Sequence, residues 1–506
     1  MTIENNDVLL VNRGTTSHKI KYETLKQDLL ADQTPDAPED GKQYGREDGA
    51  WTEIVHTPPY GDSDVNSLLK TPTAEAGQGL RWSGSEYYWT TPSEGGGGGD
   101  PGAISYTYPT GQNRTLQSRL EDYVSVKDFG AVGDGVTDDT VALRAAFNNG
   151  SNDDIFIPKG VYKFSENIEV TTGVNIFGSG ADSVLLYSPP QDGDSGGGAL
   201  KLQYNSGAYI ENDAYGLSDF TLLADCGKFP FYGIQFEYVG PSAVVGAYNK
   251  LVINNLNIGN QNCGGDAYHG YFRNGLRILN AGGVVANNLN VYSNNMLCEE
   301  RDNTHAVRIQ NLKDNHAMIR TFMCNNYYFQ RYNTCLEATA NSGSTIESIY
   351  LNNGEVLGYK GFRFSNGVGA TCIMSTHFDC QNTAYGNFGT GGEHRVVACD
   401  LRNERLDKPS FDGYTMYLNA DGCIVSNSAI RGYNAQRGCV EVGGSPKHTV
   451  VSNNVMAGGL RPNQLAINVG SGAEDVTFGG NSLSQFQSST PWNNDPELYI
   501  YGQRTL

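Results

Sequence analysis

The sequence predicts an all-β chain whose main part is a parallel β-helix, a solenoid of stacked short strands. Three observations support this fold: a turn-rich composition, a strand pattern that recurs at long intervals, and a glycine-rich turn with a helix ahead of the repeats. Only 18% of the 506 residues are charged, and glycine occurs 63 times. Such a composition is typical of turn-rich β proteins and not of helical or disordered chains.

The segment from Tyr123 to Phe147 predicts the N-terminal cap of the solenoid. It reads YVSVKDFGAVGDGVTDDTVALRAAF, a strand, a glycine-rich turn and an amphipathic helix. Thr137 or Asp138 is expected to N-cap this helix. A covering helix protects the open edge of the first coil from pairing with other chains. The turns with positive φ are expected at Gly130, Gly133 and Gly135, and the apolar stripe at Val141, Leu143, Ala145, Ala146 and Phe147.

A repeat of two apolar strands follows from about residue 230. The steps between successive first strands are 31, 29, 26, 54, 24 and 27 residues, and the step of 54 is interpreted as two rungs with one poorly marked near Val396. Long periods of this kind indicate a solenoid, whereas a β-sandwich would show hairpin turns every 8 to 12 residues. The first strands are marked by Leu276/Ile278, Val307/Ile309, Leu336/Ala338, Phe362/Phe364, Met416/Leu418, Val440/Val442 and Ile467/Val469, and the second by 287–291, 347–351, 371–375, 422–426 and 448–452.

Charge and hydropathy exclude several classes of partner. The formal net charge of −20 argues against nucleic acid and anionic membranes as partners, because both require basic patches. No signal peptide and no apolar run of membrane-spanning length is expected. The ten cysteines lie between Cys226 and Cys439 without a CxxC pair. They are interpreted as reduced, buried thiols and not as disulfides or zinc ligands.

The first hundred residues differ from the solenoid and contain a duplication. Two small aromatic modules are predicted within 36–94, followed by a glycine-rich linker over 95–114 and a short neck helix over 115–124. The β-helix is assigned to 125–486 and a tail to 487–506, where 498–502 can add one strand. The aromatics are interpreted as module cores, with glycan binding as the alternative. The duplicated residues are Gly41, Tyr44 and Trp51, repeated as Gly79, Trp82 and Trp89.

One pair of carboxylates stands out as a candidate catalytic site. If Ile349 is aligned with Ile373 on the next rung, a step of 24, Glu355 is aligned with Asp379. Val356 and Cys380 are expected to point inward, so the two acids should face solvent about 4.8 Å apart. Like charges this close do not both ionise readily, which favours one protonated acid and one carboxylate. Glycoside hydrolysis needs that combination.

Other residues are weaker candidates for the same site. The second choices for catalysis are Asp400 and Glu404, followed by the cluster of Glu299, Glu300 and Asp302. The alternative is that outward acids serve only solubility. No HxH or HExxH spacing indicates a metal, and no cofactor is expected. The alternative for the candidate tyrosines is that they are strand formers at the surface or subunit interface, and for His377 that it is a structural histidine. The candidate sugar-binding residues are Tyr327, Tyr328, Tyr332, Tyr350, Tyr359 and His377.

The cap motif VKDFGAVGDGVTDDT, with IPKGVYKF at 157–164, resembles the N-terminal cap of pectate-lyase-like right-handed β-helices, and of bacteriophage tailspikes in particular. Residues 7–30 resemble the leading segment of phage tail fibres and spikes. The resemblance implies a virion-attachment segment at 1–35 that binds a phage tail or baseplate protein. It also implies a homotrimer located on the virion and acting at the host cell surface.

The resemblance further implies a host surface polysaccharide as the ligand. Cleavage by an endo-glycosidase is the favoured activity. A non-enzymatic trimeric adhesin of the same fold is the first alternative, and a polysaccharide lyase is the second. The acidic net charge counts against the lyase because uronate polymers are themselves anionic. Nucleic acid binding and membrane insertion are not expected.

Overall fold

The structure is a computed structural model that divides into two compact units, Met1–Asp100 and Pro101–Leu506. Before residue 116 it describes only the backbone of eight short strands. The described residues of the main unit are 124–149, 154–190, 197–205, 214–240, 244–245, 250–264, 270–294, 303–312, 318–365, 367–389, 392–403, 411–459, 461–488, 491–493, 498–501 and 504–505. Within these ranges, no helix is long and apolar enough to cross a membrane.

The strands before residue 116 form four antiparallel hairpins. The predicted attachment segment holds one, and each predicted aromatic module holds one. The fourth lies within and at the end of the predicted linker. Thr115 and Val124, the ends of the predicted neck helix, lie in strands, and 116–123 fall outside the described residues. The paired strands are Val8–Arg13 with Thr16–Lys21, Tyr44–Glu47 with Ala50–Glu53, Gly79–Trp82 with Tyr87–Thr90, and Ser105–Thr107 with Asn113–Thr115.

The cap consists of a 3-10 turn at Val126–Phe129, a strand at Asp134–Asp138 and one α-helix, α1, at Thr140–Phe147. The three predicted glycine turns are confirmed, with φ of 94°, 72° and 78°. The N-cap prediction is wrong because Asp139 occupies that position, and its carboxylate instead accepts the backbone N–H groups of Val132 and Gly133. Two predicted stripe residues, Val141 and Ala145, are exposed, and the helix buries Ala142, Leu143, Ala146 and Phe147.

Eleven parallel strands form the first sheet of the solenoid. Each predicted first strand occupies its predicted place, since Leu276, Val307, Leu336 and Phe362 stand in register on successive rungs. The rung hidden in the step of 54 is marked by Tyr385 and not by Val396. The strands are Ile168–Val170, Leu200–Tyr204, Tyr232–Tyr238, Asn274–Leu279, His305–Asn311, Thr334–Ala340, Lys360–Phe364, Tyr385–Asn387, Tyr414–Leu418, Gly438–Val442 and Leu465–Val469.

A second sheet of 24 strands wraps the other faces of the solenoid. Five of its strands are long and bent: Leu251–Asn260, Val284–Tyr292, Met318–Gln330, Thr345–Gly358 and Thr371–Cys380. On the other rungs the bend separates two short strands. These are Asp154–Ile157, Gly160–Phe164, Asn175–Gly178, Ser183–Tyr187, Tyr215–Ser218, Thr221–Ala224, His394–Val397, Asp400–Arg402, Ile424–Ser426, Ala429–Gly432, Lys447–Ser452, Val455–Gly458, Glu474–Gly479, Ser482–Ser484, Leu498–Tyr501 and Arg504–Thr505, with Val124–Ser125, Asp134–Asp138 and Val244–Val245 completing the sheet.

On ten successive rungs, from that of Asp219 to that of Gly480, the bend is made by one residue in the left-handed conformation, with φ between 49° and 65°. Glycine and asparagine adopt this conformation most readily, which explains why asparagine recurs here. Asn255 Nδ2 donates to Asp219 Oδ1 at 2.8 Å, and Asn288 Nδ2 donates to Asn255 Oδ1 at 2.6 Å. We call this row the corner column: Asp219, Asn255, Asn288, Asn326, Asn353, Ser375, Ala398, Asn427, Asn453 and Gly480.

The lumen is filled by apolar side chains that repeat from rung to rung. Six free cysteines are fully or nearly buried in it, as the sequence predicted. The same prediction is wrong for Cys226 and Cys263, which form a disulfide with a Cα–Cα distance of 5.9 Å. The two lie 37 residues apart at the ends of strands in adjacent rungs, so stacking brings them together.

Candidate functional site

The predicted stacking of Glu355 on Asp379 is shifted by two residues in the structure. Ile349 stands opposite Thr371 and not Ile373, so Glu355 is in register with His377, and Leu357 with Asp379. Val356 and Cys380 point into the lumen as predicted. Because a shift of two residues keeps the same face outward, both acids still belong to the outer face. Strand geometry places their Cα atoms diagonally, at about 8 Å.

Four polar residues on successive rungs form an outward row just after the corner. Tyr328, Glu355, His377 and Asp400 are in register, one rung or about 4.8 Å apart. Glu355 is exposed, while Tyr328 and His377 are half-buried. Burial, followed by the charge of Glu355, raises the pKa of Tyr328 above its usual value. The row therefore presents two acids, an imidazole and a phenol along one line.

Asp400 is fixed by cations on two rungs. Its Oδ2 lies 2.6 Å from Arg402 Nη2 and 3.4 Å from His377 Nδ1, and its Oδ1 lies 2.8 Å from Arg431 Nη1. Burial opposes ionisation, but the hydrogen bond from Arg402 and the charges of Arg431, Arg402 and His377 outweigh it and lower the pKa of Asp400. Asp400 is therefore ionised and structurally engaged.

Asp379 lies beside this row, two residues beyond His377 on the same strand. It is half-buried, and its Oδ1 has no hydrogen-bond partner in the described part of the chain although that atom is inaccessible to solvent. A buried acceptor without a donor is unfavourable, and such atoms are rare in folded proteins. Glu355 takes part in no ion pair with any described residue. Of the three predicted catalytic residues that the structure describes, these two have fewer polar contacts than Asp400.

An open groove of about 630 Å³ runs along the corner column and the outward row. One wall consists of corner residues and the floor of residues just after the corner. Its lining is polar apart from the tyrosine rings. The groove is lined by Asn288, Asn290, Asn326, Tyr327, Tyr328, Asn353, Gly354, Glu355, Ser375 and His377.

The predicted tyrosines do not form one surface cluster. Tyr332 is fully buried, and Tyr327 is buried beneath Gly354, with its hydroxyl 2.6 Å from Thr376 Oγ1. Tyr350 is 43% exposed but lies on the other side of the corner. Tyr359 lies near the end of its rung, where Lys360 packs on its ring. Of the six candidate sugar-binding residues, Tyr327, Tyr328 and His377 line the groove, and the Tyr327 side chain is only 3% exposed.

The remaining catalytic candidates fall outside the described residues. They are Glu404, Glu299, Glu300 and Asp302. The asparagines of the groove were missed, although a recurrence of Asn at rung spacing, 27 residues between Asn326 and Asn353, is visible in the sequence. Within the described ranges, no three His, Cys, Asp or Glu side chains converge to hold a metal.

Fold and groove together define a β-helix with a polar groove along the bend of its second sheet. Residues 123–360 match the family model "Rhamnogalacturonase A/epimerase, pectate lyase-like". The chain is 38% identical over 109 residues to the pre-neck appendage protein of Bacillus phage B103, covering 21% of this chain and 12% of that protein. It is 35% identical over 112 residues to the mannuronan C5-epimerase AlgE2 of Azotobacter vinelandii, covering 20% and 11%.

Among solved structures, the Dettilon tailspike protein superposes with a TM-score of 0.48 at 13% identity, covering 76% of this chain and 70% of that one. The chain spans 11–12% of the length of the first curated relatives, all phage appendage proteins. The family match confirms the predicted pectate-lyase-like β-helix, and the relatives confirm the predicted likeness to phage tail proteins.

Proposed function

We propose that this protein is a phage tailspike that binds a host surface polysaccharide and cleaves it as an endo-glycosidase. The observation that carries the proposal is the pair of outward carboxylates, Glu355 and Asp379, on adjacent rungs beside an open groove. The match to a family of polysaccharide-acting β-helices and the likeness to phage appendage proteins support it. The protein is then a virion component acting at the host surface.

The spacing of the two acids favours one stereochemical course. Inverting glycosidases keep their carboxyl groups about 6.5–9.5 Å apart to admit a water molecule, whereas retaining enzymes need about 5–5.5 Å. The Cα atoms of Glu355 and Asp379 are about 8 Å apart, so side chains that extend in parallel would hold their carboxyl groups within the first range. In this proposal one acid protonates the glycosidic oxygen and the other activates water. The ionised Asp400 orients His377, which lies opposite Glu355 on the next rung.

The shape of the groove favours internal cleavage of a polymer. It is open along its length and follows the solenoid axis over the rungs of Asn288, Asn326, Asn353 and Ser375. A chain lying there can extend beyond both ends. In the same proposal, residues 1–35 attach the protein to a phage tail or baseplate protein, and three copies associate as a homotrimer.

The test is release of reducing ends from a panel of purified bacterial capsular and O-antigen polysaccharides. Wild type is compared with Glu355→Gln, Asp379→Asn and the matched control Glu393→Gln, an exposed acid paired with Arg395 outside the groove. Removing a general acid or base lowers the rate about 10²–10⁴-fold. Both site variants should show that loss with binding retained, and the control should retain full activity.

The products distinguish the alternatives. Anomeric NMR of fresh product should show inversion, and retention would refute the assigned spacing. Ultraviolet absorbance from unsaturated ends would indicate a lyase. Binding without cleavage of any polymer would establish a non-enzymatic adhesin. Cleavage that survives both substitutions would move the catalytic site away from Glu355 and Asp379.

A further inference from the structure

The wall of the groove is a stretch of the corner column where the asparagine ladder is interrupted. Asn255 bonds to Asp219, Asn288 to Asn255, and Asn353 to Asn326. Between Asn288 and Asn326, on adjacent rungs, no side-chain hydrogen bond exists. The groove begins where the ladder is open.

The interruption leaves hydrogen-bonding groups unused along the groove. In the part of the chain that the structure describes, Asn326 Nδ2 has no acceptor, and Asn288 Oδ1 and Asn353 Oδ1 have no donor. All three side chains are exposed. The corner backbone fixes the position of these side chains. Because these amide groups are not hydrogen-bonded to one another, they are suited to pair with the hydroxyls of a ligand.

The charge of the groove restricts the ligand further. Its lining holds one carboxylate, Glu355, and one imidazole, His377, and no lysine or arginine among the described residues. Of the nearby cations, Arg402 and Arg431 are paired with Asp400, and Arg331, whose charge acts on Tyr328, donates to the backbone carbonyl of Asn294. With a formal net charge of −20 on the chain, a polyanion would meet repulsion that the lining does not offset.

We infer that the groove binds an uncharged stretch of polysaccharide, with sugar hydroxyls paired to the amides of Asn288, Asn326 and Asn353 and a sugar ring against Tyr328. The four corner residues of the groove lie on four successive rungs and span about 14 Å, which accommodates a short oligosaccharide. This inference rests on the proposed function, since it names the substrate class of the same groove.

Asn326→Gly is the diagnostic variant. Glycine adopts the left-handed conformation without strain, so only the side chain is lost. The matched control is Asn427→Gly, because Asn427 is also an exposed corner residue, with φ of 53° against 52° for Asn326, and lies outside the groove. Losing one or two neutral hydrogen bonds should weaken binding about tenfold. The control variant Asn427→Gly keeps every amide of the groove, so its affinity for the polysaccharide should lie within about twofold of that of wild type.

Binding is measured on an array of bacterial surface polysaccharides with uncharged repeats and with uronate, sialate or phosphate repeats, at low and high salt. The expected result is retention of uncharged polymers, independent of salt and weakened only by Asn326→Gly. Preferential retention of acidic polymers, or binding that salt abolishes, would overturn the inference while leaving hydrolysis untouched. Retention of uncharged polymers without any cleavage would leave the inference standing and refute the hydrolase. Retention of neither class would refute both.

Discussion

Replacing Gly354 with alanine should destabilise the β-helix at the floor of the groove. A Cβ atom at Gly354 would lie 2.5 Å from Cε1 of Tyr327 and closer still to Cζ and Cε2, whereas ordinary contacts begin near 3.4 Å. Tyr327 is 3% exposed and packs against Phe329 and Phe362. The ring therefore has to move by about an ångström within a filled lumen.

The expected loss of stability is the sum of two effects. Overpacking a well-packed interior costs about 1–3 kcal/mol. Moving the ring also breaks the buried hydrogen bond between Tyr327 and Thr376, 2.6 Å long, and an unsatisfied buried hydroxyl costs about 1–3 kcal/mol. The free energy of unfolding should fall by about 2–6 kcal/mol. Gly197→Ala is the control, because its Cβ would meet nothing closer than 3.9 Å.

Urea unfolding followed by circular dichroism measures this loss, and a double-mutant cycle tests its cause. In a Tyr327→Leu background the colliding ring is absent, so Gly354→Ala should then cost less than about 1 kcal/mol even though Tyr327→Leu is itself destabilising. An equal loss in both backgrounds would refute the collision. The collision would also be refuted if Gly354→Ala lowered the stability of the wild-type protein no more than Gly197→Ala does.

Asp400→Asn removes the carboxylate that holds Arg402 and Arg431, and it should lower stability by about 1–3 kcal/mol, between the values for exposed and buried ion pairs. Because the folded-state pKa of Asp400 is depressed, this contribution is present above the unfolded pKa of about 3.9 and is lost as the pH falls further. Urea midpoints of wild type and variant should therefore converge in acid. Cys226→Ser opens the disulfide to Cys263 across 37 residues and should cost about 4 kcal/mol in loop-closure entropy. Adding dithiothreitol to both proteins should abolish that difference.

Controls separate these effects from general damage to the fold. Asp412→Asn removes an exposed acid paired with Arg437 and should leave the urea midpoint unchanged. If the Asp400 difference persists undiminished at low pH, the loss comes from packing and not from charge. If wild type and Cys226→Ser unfold alike without reductant, the disulfide does not form in solution.

The sequence alone predicted seven of the eleven strands of the first sheet; the first three, before residue 240, and the one at Tyr385 were not marked. Leu276, Val307, Leu336 and Phe362 stand in the predicted register because inward apolar pairs in this sheet are flanked by strong turns. The rung at Tyr385 was missed because its strand, Tyr385–Asn387, has only three residues and carries a single large apolar side chain. A rung of a solenoid can be inferred from the period of its neighbours even where its own apolar strand pattern is poorly marked.

The candidate site was predicted less well, and Glu355 and Asp379 show why. Alternation tells only which face of a strand a residue occupies, so a two-residue shift satisfies the pattern equally. The shift is fixed by the corner, where Asn353 aligns with Ser375, a residue with no marked preference for the left-handed conformation. Tyr327 was predicted at the surface because the space that admits its ring is created by Gly354 on the next rung.

The sequence by itself therefore determined the solenoid, its cap and the outward face of both acids, since these depend on local turns and on the alternation of apolar residues. Only the tertiary structure decided which residues of successive rungs meet. It placed His377 between Glu355 and Asp400, joined Cys226 to Cys263, and left the asparagine ladder open at the groove. Register between rungs is set by the corner residues and by packing in the lumen. There a large side chain on one rung fits against a small residue on the next rung.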